Sequence, residues 1–178
     1  MNLRPRAEVF IFKRNRVLCA YRPDYVCFPG GGVDKGENAR EAAIREGFEE
    51  AGRKVINCTV AHPPTVQIWS KEYKEKKGAD KAWAREFDGG LTYWMTGSSS
   101  DNPVPPADRH PDYETRMDWH PVREVIQKLK PEQSGNWADD VKVRIKILET
   151  HLAMQERHKE AEFSLSLPAK PFPVLTLH

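Results

Sequence analysis

The stretch GGVDKGENAREAAIREGFEEAG, residues Gly31–Gly52, places a glycine turn directly before a helix that is rich in carboxylates. Glu46, Glu49 and Glu50 stand at positions i, i+3 and i+4, so a helix would project all three from one face. Three like charges on one face repel each other, and a divalent cation would convert that repulsion into coordination. Because every donor is an oxygen, the spacing favours Mg²⁺ or Mn²⁺ over zinc.

The glycine turn adds the second half of this site. Gly30, Gly31 and Gly32 leave the backbone free to approach a ligand closely. Such a turn can supply a carbonyl to a metal and amide groups to a phosphate near the N-terminus of the helix. Arg45 puts a fixed positive charge beside the carboxylates. A hard metal, several carboxylates and a glycine turn together indicate polyphosphate chemistry, in which a bound metal neutralises phosphate oxygens and lowers the pKa of a water.

The whole stretch resembles the Nudix box, which reads Gly, five residues, Glu, seven residues, then Arg-Glu-apolar-x-Glu-Glu-x-Gly-apolar. Seven chance matches at fixed positions would occur at roughly one in 10⁸ start positions, so coincidence is a poor explanation. Two positions depart from the pattern, because Gly47 and Arg53 stand where the family prefers apolar residues. Gly47 should cost the helix about 1 kcal/mol relative to alanine, and it leaves room for a neighbour to pack against the backbone. The matching residues are Gly31, Glu37, Arg45, Glu46, Glu49, Glu50 and Gly52.

The resemblance implies a role for each matching residue. Glu46, Glu49 and Glu50 would bind the metal, joined by a backbone carbonyl of the turn at Gly31 or Gly30. Among these, Glu46 and Glu49 are our candidates for a direct part in catalysis. Water would attack one phosphorus of a pyrophosphate link, while the metal stabilises charge on the phosphate oxygens and the leaving group.

Glu37 and Arg45 would hold the loop and helix together and orient the metal-binding carboxylates, which also makes Arg45 a catalytic candidate. The general base differs between branches of the family. Glu46 serves if the base lies in the box, and Glu114 is our candidate if it lies in a later loop, with Asp112 close behind.

Substrate contacts are less well specified. Arg22 ends a strand near the glycine turn, and it could touch a phosphate together with Gly30 and Gly32. Aromatic residues that could stack on a base, although core packing is the commoner role for such residues, are Tyr25, Trp69, Trp83, Tyr93 and Trp94.

Length and hydrophobic content suit one compact α/β or α+β domain, and the resemblance implies an α/β fold, an α/β/α sandwich around a mixed sheet. We expect a catalytic domain over residues 1–160 and a proline-containing tail over 161–178. The expected strands are 9–12, 17–21, 55–60, 66–69, 91–95 and 113–119, and the expected helices are 38–51, one beginning near residue 121 and one beginning near residue 137. The charged segment 71–86 is predicted to be an exposed insertion or a long hairpin, and residues 97–111 a long loop.

Composition limits the function classes. The chain has 178 residues with a formal net charge of +2, so it lacks the strong basic balance of a nucleic-acid coat protein. Its three cysteines include no CxxC pair, which favours a reducing cytoplasm over a disulfide framework or a zinc knuckle. The first apolar run, residues 9–12, is too short for a signal peptide core or a membrane span.

The sequence therefore predicts a Mg²⁺- or Mn²⁺-dependent hydrolase of a nucleoside diphosphate linked to another group. The substrate would be an NTP or dNTP, a dinucleoside polyphosphate, ADP-ribose or a nucleotide sugar. An RNA 5′ end is possible but not favoured, since no contiguous basic patch is present. The alternative is a nucleotide-binding sensor on the same fold that has lost catalysis. Membrane attachment is not expected, and a homodimer is a modest expectation.

Overall fold

The computed structural model describes residues 1–79, 81–99, 117–133 and 137–166, and it contains one mixed sheet of seven strands. The path through the sheet is β3-β2-β1-β6-β5, with β4 paired to β1 and β7 paired to β2. The pair β1 and β6 is parallel and the other pairs are antiparallel. The strands are β1 (Leu3–Lys13), β2 (Arg16–Tyr21), β3 (Val26–Cys27), β4 (Gly30–Gly32), β5 (Val55–Ile68), β6 (Gly89–Ser99) and β7 (Asp118–Pro121).

Helices cover both faces of this sheet. Alternation along β1 sends Val9 and Ile11 into one apolar core, whose helix residues come from α1 (Ala39–Ala51). It sends Phe10 and Phe12 into the opposite core, against α4 (Val122–Leu129) and α5 (Ala138–Ser166). The predicted α/β/α sandwich around a mixed sheet is therefore confirmed.

The helix that carries the carboxylates begins and ends where its local signals place it. Asn38 is the N-cap, and its side chain accepts hydrogen bonds from the amides of Arg40 and Glu41. The Glu41 carboxylate in turn accepts a hydrogen bond from the Asn38 amide, which completes a capping box. Gly52 ends the helix in the left-handed region, with φ of 59°. Both ends of α1 are thus set by residues within the helix and its caps.

Two predicted segments differ in the structure. The predicted strands 55–60 and 66–69 form one continuous strand, β5, whose register against β6 shifts at several points between Ile56 and Thr65. The predicted exposed insertion or hairpin at 71–86 forms two short helices, α2 (Lys71–Gly78) and α3 (Trp83–Glu86).

Three boundaries also move. The predicted loop at 97–111 begins later, because β6 continues to Ser99, and residues 100–116 lie outside the described residues. Of the predicted strand 113–119, only the part from Asp118 onward is described as strand. The last helix runs to Ser166, past the domain boundary expected at residue 160, and the tail beyond it lies outside the described residues. In the described part of the chain, no helix has both the length and the apolarity to cross a bilayer.

Candidate active site

The guanidinium of Arg45 is the centre of the candidate site. It forms a two-pronged pair with Glu37, since Nε donates to Oε1 and Nη2 donates to Oε2, both at 3.0 Å. Nη1 donates to Glu46 Oε1 at 2.9 Å and to Glu49 Oε2 at 3.1 Å. Nη2 also donates to the carbonyl of Gly32 at 2.8 Å. One cation therefore ties the glycine turn, the loop that follows it and the carboxylate face of α1 into a single network.

Glu37 is held in this network from both sides. Its Oε2 accepts a hydrogen bond from the amide of Asp34 at 3.0 Å in addition to the bonds from Arg45. The hydrogen bond from Arg45 is the main cause of a lowered pKa for Glu37. Glu37 is therefore an anion fixed between loop and helix, which is the arrangement expected of a residue that orients the site.

Glu50 holds the glycine turn from the other side. Its Oε2 accepts a hydrogen bond from the amide of Gly30 at 2.8 Å. The pKa of Glu50 is raised to about 7, mainly by burial, with smaller contributions from the negative charges of Glu46 and Glu8, while the hydrogen bond from the Gly30 amide opposes the shift. Glu50 is thus a buried carboxyl that binds its proton more tightly than an exposed glutamate does.

Glu46 is the most deeply placed of the three box carboxylates. The residue is 5% exposed, and its Oε2 is buried with no hydrogen-bond partner among the described residues. Burial raises its pKa, and the bond from Arg45 opposes that shift. The carboxylate lies against Gly31, where any Cβ would overlap it. Only glycine at position 31 leaves room for this side chain, so the turn and the helix fit each other atom by atom.

These residues fit a divalent metal by their chemistry. A buried carboxylate oxygen without a partner is costly unless a donor or a cation satisfies it, and Glu46 Oε2 is such an oxygen. Within the described ranges, no three acidic, histidine or cysteine side chains already converge on one point. The reason is visible in the hydrogen bonds, since Glu46 and Glu49 turn toward Arg45 and Glu50 turns toward Gly30. Metal binding would require these side chains to rotate away from those partners.

The structure places the three residues that were expected to contact phosphate, Arg22, Gly30 and Gly32, in different environments. The Gly30 amide already donates to Glu50, so it does not stand free for a phosphate in this arrangement. Gly32 lies in β4 opposite Arg6, with its carbonyl bound to Arg45. Arg22 is exposed in the turn before β3, where its amide donates to the carbonyl of Tyr25 at 2.9 Å. The base candidates Glu114 and Asp112 lie outside the described residues.

The proposed aromatic residues separate into two groups. Trp94 is 1% exposed and its Nε1 donates to Thr65 Oγ1 at 3.1 Å, so it is a core residue with a satisfied donor. Trp69 and Trp83 lie together beside α2 and α3, with ring centroids 5.3 Å apart. Tyr25 is half exposed at the other side of the glycine turn.

Sequence reasoning missed two charged groups near the turn. Glu8, opposite Gly30 in the sheet, is buried and receives two hydrogen bonds of 2.8 Å from Arg144 of α5. Arg6 stands 3.7 Å from the same carboxylate. A signal for Glu8 existed, because a charge inside an otherwise apolar strand needs a buried partner. Its partner lies 136 positions away, which no local pattern reveals. The second missed group, Arg4, lies next to Gly32.

Comparisons with known proteins place this site in a family. A model of the NUDIX domain matches residues 2–141. An RNA pyrophosphohydrolase of Roseobacter denitrificans is 27% identical over 74% of this chain and 79% of its own. An 8-oxo-dGTP diphosphatase of Proteus vulgaris is 36% identical over 41% of this chain and 83% of its own. Nudix hydrolase 3 of Caenorhabditis elegans is 42% identical over 36% of this chain, but the match spans only 23% of the worm protein.

The solved structures support the fold independently. The dihydroneopterin triphosphate pyrophosphohydrolase of Escherichia coli aligns with a TM-score of 0.54 at 15% identity, covering 84% of this chain and 97% of that one. At that identity the likeness concerns the fold alone. The domain match covers most of the chain and includes the whole network around Arg45, so this protein belongs to the Nudix hydrolase family.

Proposed function

We propose that this protein hydrolyses the pyrophosphate bond of a nucleoside diphosphate linked to another group, with Mg²⁺ or Mn²⁺ as its metal. The observation that carries this proposal is the buried, unpartnered Oε2 of Glu46 beside the glycine turn. Glu49 and Glu50 lie on the same helical face, so three carboxylates and a turn of close backbone stand together. Nudix membership and relatives named pyrophosphohydrolase and diphosphatase support the same reaction class.

The residues that would hold the metal are Glu46, Glu49, Glu50 and a carbonyl at Gly30 or Gly31. When bound, the metal supplies positive charge to phosphate oxygens and lowers the pKa of a water. Arg45 holds Glu46 and Glu49 side by side through Nη1, so the two carboxylates are already neighbours before any ligand arrives.

The hydrolytic step needs a proton acceptor for the attacking water. The water oxygen forms a bond to one phosphorus, the bridging P–O bond breaks, and the water proton passes to a general base. We propose Glu46 for that role, because a carboxylate that holds a metal through one oxygen can accept a proton at the other. Glu114 stays the alternative in a later loop.

The substrate class follows less directly. The near balance of charge, +2 over the chain, favours small nucleotides over long polyanions. The second candidate is an RNA 5′ end. It is favoured by the relative named RNA pyrophosphohydrolase, whose match covers 74% of this chain. A non-catalytic nucleotide sensor is disfavoured because the sequence keeps every box carboxylate. A cytoplasmic location fits the three free cysteines, and a homodimer stays a prediction.

A hydrolysis panel tests the proposal. It covers (d)NTPs, ADP-ribose, NADH, Ap4A, nucleotide sugars and triphosphorylated RNA, each with Mg²⁺ or Mn²⁺, and Glu49→Gln is the control. Metal-dependent cleavage of a phosphoanhydride bond in one group of substrates, lost in the control, is the expected result. Binding of nucleotide without turnover across the panel would favour the sensor instead.

A further inference from the structure

Three aromatic rings form a cluster beside the glycine turn, in the segment Trp69–Asp88 that we call the insertion. This aromatic cluster consists of Trp69, Tyr73 and Trp83. The Trp69 centroid lies 5.5 Å from that of Tyr73 and 5.3 Å from that of Trp83, and both pairs are tilted. The rings are only partly buried, so the cluster offers ring surface to a ligand at the edge of the fold.

Arg4 connects this cluster to the candidate active site. Its guanidinium lies over the Trp83 ring, 4.1 Å from the centroid. Its Nη2 is so close to Gly32 that a Cβ there would lie 2.7 Å from it. One guanidinium therefore separates the aromatic cluster from the glycine turn that borders Glu46.

The charge of Arg4 lacks an anionic partner. The guanidinium makes no hydrogen bond or ion pair with any residue that the structure describes, in contrast to Arg6, which stands 3.7 Å from Glu8. Burial, and then the neighbouring Arg6, lower the pKa of Arg4, while Glu46 and Asp34 act in the opposite direction. Arg4 thus lies within electrostatic reach of the box carboxylates, yet it keeps its donors for another anion.

Trp69 also has an unused donor. Its Nε1 is buried with no hydrogen-bond partner among the described residues. The cleft that Arg4, Tyr73, Trp83 and Trp69 share is about 30 Å³, room for a single water. Trp69 also lines an open groove of about 760 Å³, whose other walls include Lys74 of α2 and Arg85 of α3.

We propose that Arg4 and the aromatic cluster form the nucleoside-binding part of the site, with Arg4 pairing to the 5′-phosphate and the base stacking on Trp83. In this arrangement the phosphate draws the guanidinium away from the Trp83 ring, and the base takes the ring face that Arg4 covers in the free protein. The inference rests on the proposed function, because it places the phosphate chain toward Glu46.

This arrangement determines what kind of ligand is recognised. Stacking accepts any base, since every base has a π face, so the cluster selects for the presence of a base more than for its identity. The ligand chemistry is a nucleoside 5′-polyphosphate, supplied either by a free nucleotide or by the first nucleotide of a triphosphorylated RNA. A polyphosphate without a base should bind Arg4 but should not stack on Trp83.

Calorimetric binding in a Glu49→Gln background, which suppresses turnover, tests the inference. The probes are GTP, ATP, inorganic tripolyphosphate and a short 5′-triphosphorylated RNA, each with Mg²⁺. We expect Trp83→Leu to raise the Kd of GTP and ATP by about 5- to 150-fold and to leave that of tripolyphosphate unchanged. Arg4→Met should weaken the binding of all four probes. Trp83→Phe, which keeps an aromatic face, should restore most of the affinity.

Trp137→Leu is the matched control. Trp137 contacts Tyr73, with ring centroids 5.9 Å apart, and it lines the same small cleft, but among the described residues the ring that the Arg4 guanidinium covers is that of Trp83. Its loss should change each Kd by less than about threefold, a shift that corresponds to well under 1 kcal/mol. Circular dichroism of every variant checks that the fold persists.

The outcomes separate the two proposals. Unchanged GTP and ATP affinity in folded Trp83→Leu, tripolyphosphate binding as tight as GTP, or no binding of any probe by the parent would overturn the nucleoside site. Tryptophan-dependent binding without hydrolysis by the wild-type protein would support this site and count against the proposed function. If RNA alone binds, and Trp83→Leu weakens it, the 5′ end of RNA is the source of the nucleoside.

Discussion

The glycine turn with α1 and the insertion lie side by side, but they are built in opposite ways. Around Arg45, charges of both signs close on each other through five hydrogen bonds from one guanidinium. In the insertion, three tilted aromatic rings pack together, and Arg4 of β1 lies over one of them, Trp83, with no anionic partner within the described residues. A guanidinium such as Arg45, whose donors are all bound to anions or carbonyls, holds those groups in place. A guanidinium such as Arg4, which lies only on an aromatic ring, can bind an incoming anion. This difference fits our proposals that the first region carries the chemistry and the second the recognition.

The largest expected effect is a loss of kcat when a carboxylate of the first region is replaced. Glu49→Gln and Glu50→Gln each remove one anionic charge from the box, and each amide keeps the shape of the side chain it replaces. Loss of an outer partner alone costs 10- to 100-fold in many metal sites, so loss of a ligand charge should lower kcat by at least about 100-fold. The same variants should keep their affinity for nucleotide within a few-fold. A folded double variant with wild-type kcat would remove these residues from the metal site.

A smaller effect tests how closely turn and helix fit. Gly31→Ala places a methyl group on the Glu46 carboxylate, so this expected metal ligand must leave its place beside the glycine turn. We expect a loss of about 10- to 100-fold in kcat, comparable to that of an orienting residue, with little change in thermal unfolding. Gly90→Ala is the control in the second region, because its Cβ would lie an ordinary 3.6 Å from Trp69. Equal losses in both variants would show that the glycine effect is general rather than specific to Glu46.

The two regions also differ in how well the sequence predicted them. Helix α1 was predicted closely because the Asn38 cap, the carboxylate spacing and the Gly52 stop all lie within fifteen positions. The aromatic cluster escaped prediction because its rings come from three separate elements. Arg4 was missed altogether, since nothing near it in the chain indicates that Gly32 and Trp83 will surround it.

Strand β5 shows a second kind of miss. Two strands were predicted at 55–60 and 66–69, and Pro63 and Pro64 lie between them. In the structure β5 is the edge strand of its sheet, and an edge position accepts proline because one side of the strand needs no ladder hydrogen bonds. Register shifts between Ile56 and Thr65 absorb the irregularity. Edge position depends on the whole topology, which a local pattern does not contain.

In metal-free protein, a buried carboxyl of the first region and a carboxyl of the insertion should change the free energy of unfolding with pH in opposite directions. Burial raises the folded pKa of Glu50 to about 7 from an ordinary 4.5, so the folded state binds this proton more tightly than the unfolded state does. The contribution of Glu50 to the free energy of unfolding is therefore full below pH 4.5 and declines as the pH rises toward 7, by no more than about 3 kcal/mol. Glu50→Gln should flatten that part of the curve in urea denaturation.

Asp88 in the insertion should behave in the opposite way. Hydrogen bonds from the Asn2 amide and from Lys74 lower its pKa below the ordinary 3.8. Its contribution is therefore present above pH 3.8 and is lost as the pH falls through the lowered value. Asp88→Asn should leave the slope between pH 4.5 and 7 unchanged. A flat curve for wild-type protein in that window would contradict the assignment of Glu50 as a buried carboxyl.

The smallest expected effect comes from replacing one helical glycine by alanine in each region. Gly47→Ala should gain about 1 kcal/mol in helix propensity, but its Cβ would overlap Val55 Cγ2 and lie 3.3 Å from Ile11 Cδ1. Overpacking of that kind typically costs about 1–3 kcal/mol, so we expect a net loss of about 1 kcal/mol in urea denaturation. The Cβ of Gly78→Ala in α2 would lie 3.0 Å from Arg85 Cγ, and since Arg85 Nε donates to the Gly78 carbonyl at 2.7 Å, that contact should offset the gain in helix propensity and leave the stability nearly unchanged.

The Val55→Ala background decides whether packing is the reason. If Gly47 is required because α1 lies directly on β5, removing the Val55 methyl groups should release the clash, and Gly47→Ala should then stabilise the double variant relative to Val55→Ala alone. The same loss in both backgrounds would mean that Gly47 serves the backbone of α1 and not its contact with the sheet. A change of sign would show that the departure from the family pattern at position 47 is an adaptation to Val55, which holds the carboxylate helix against the strand that leads into the insertion.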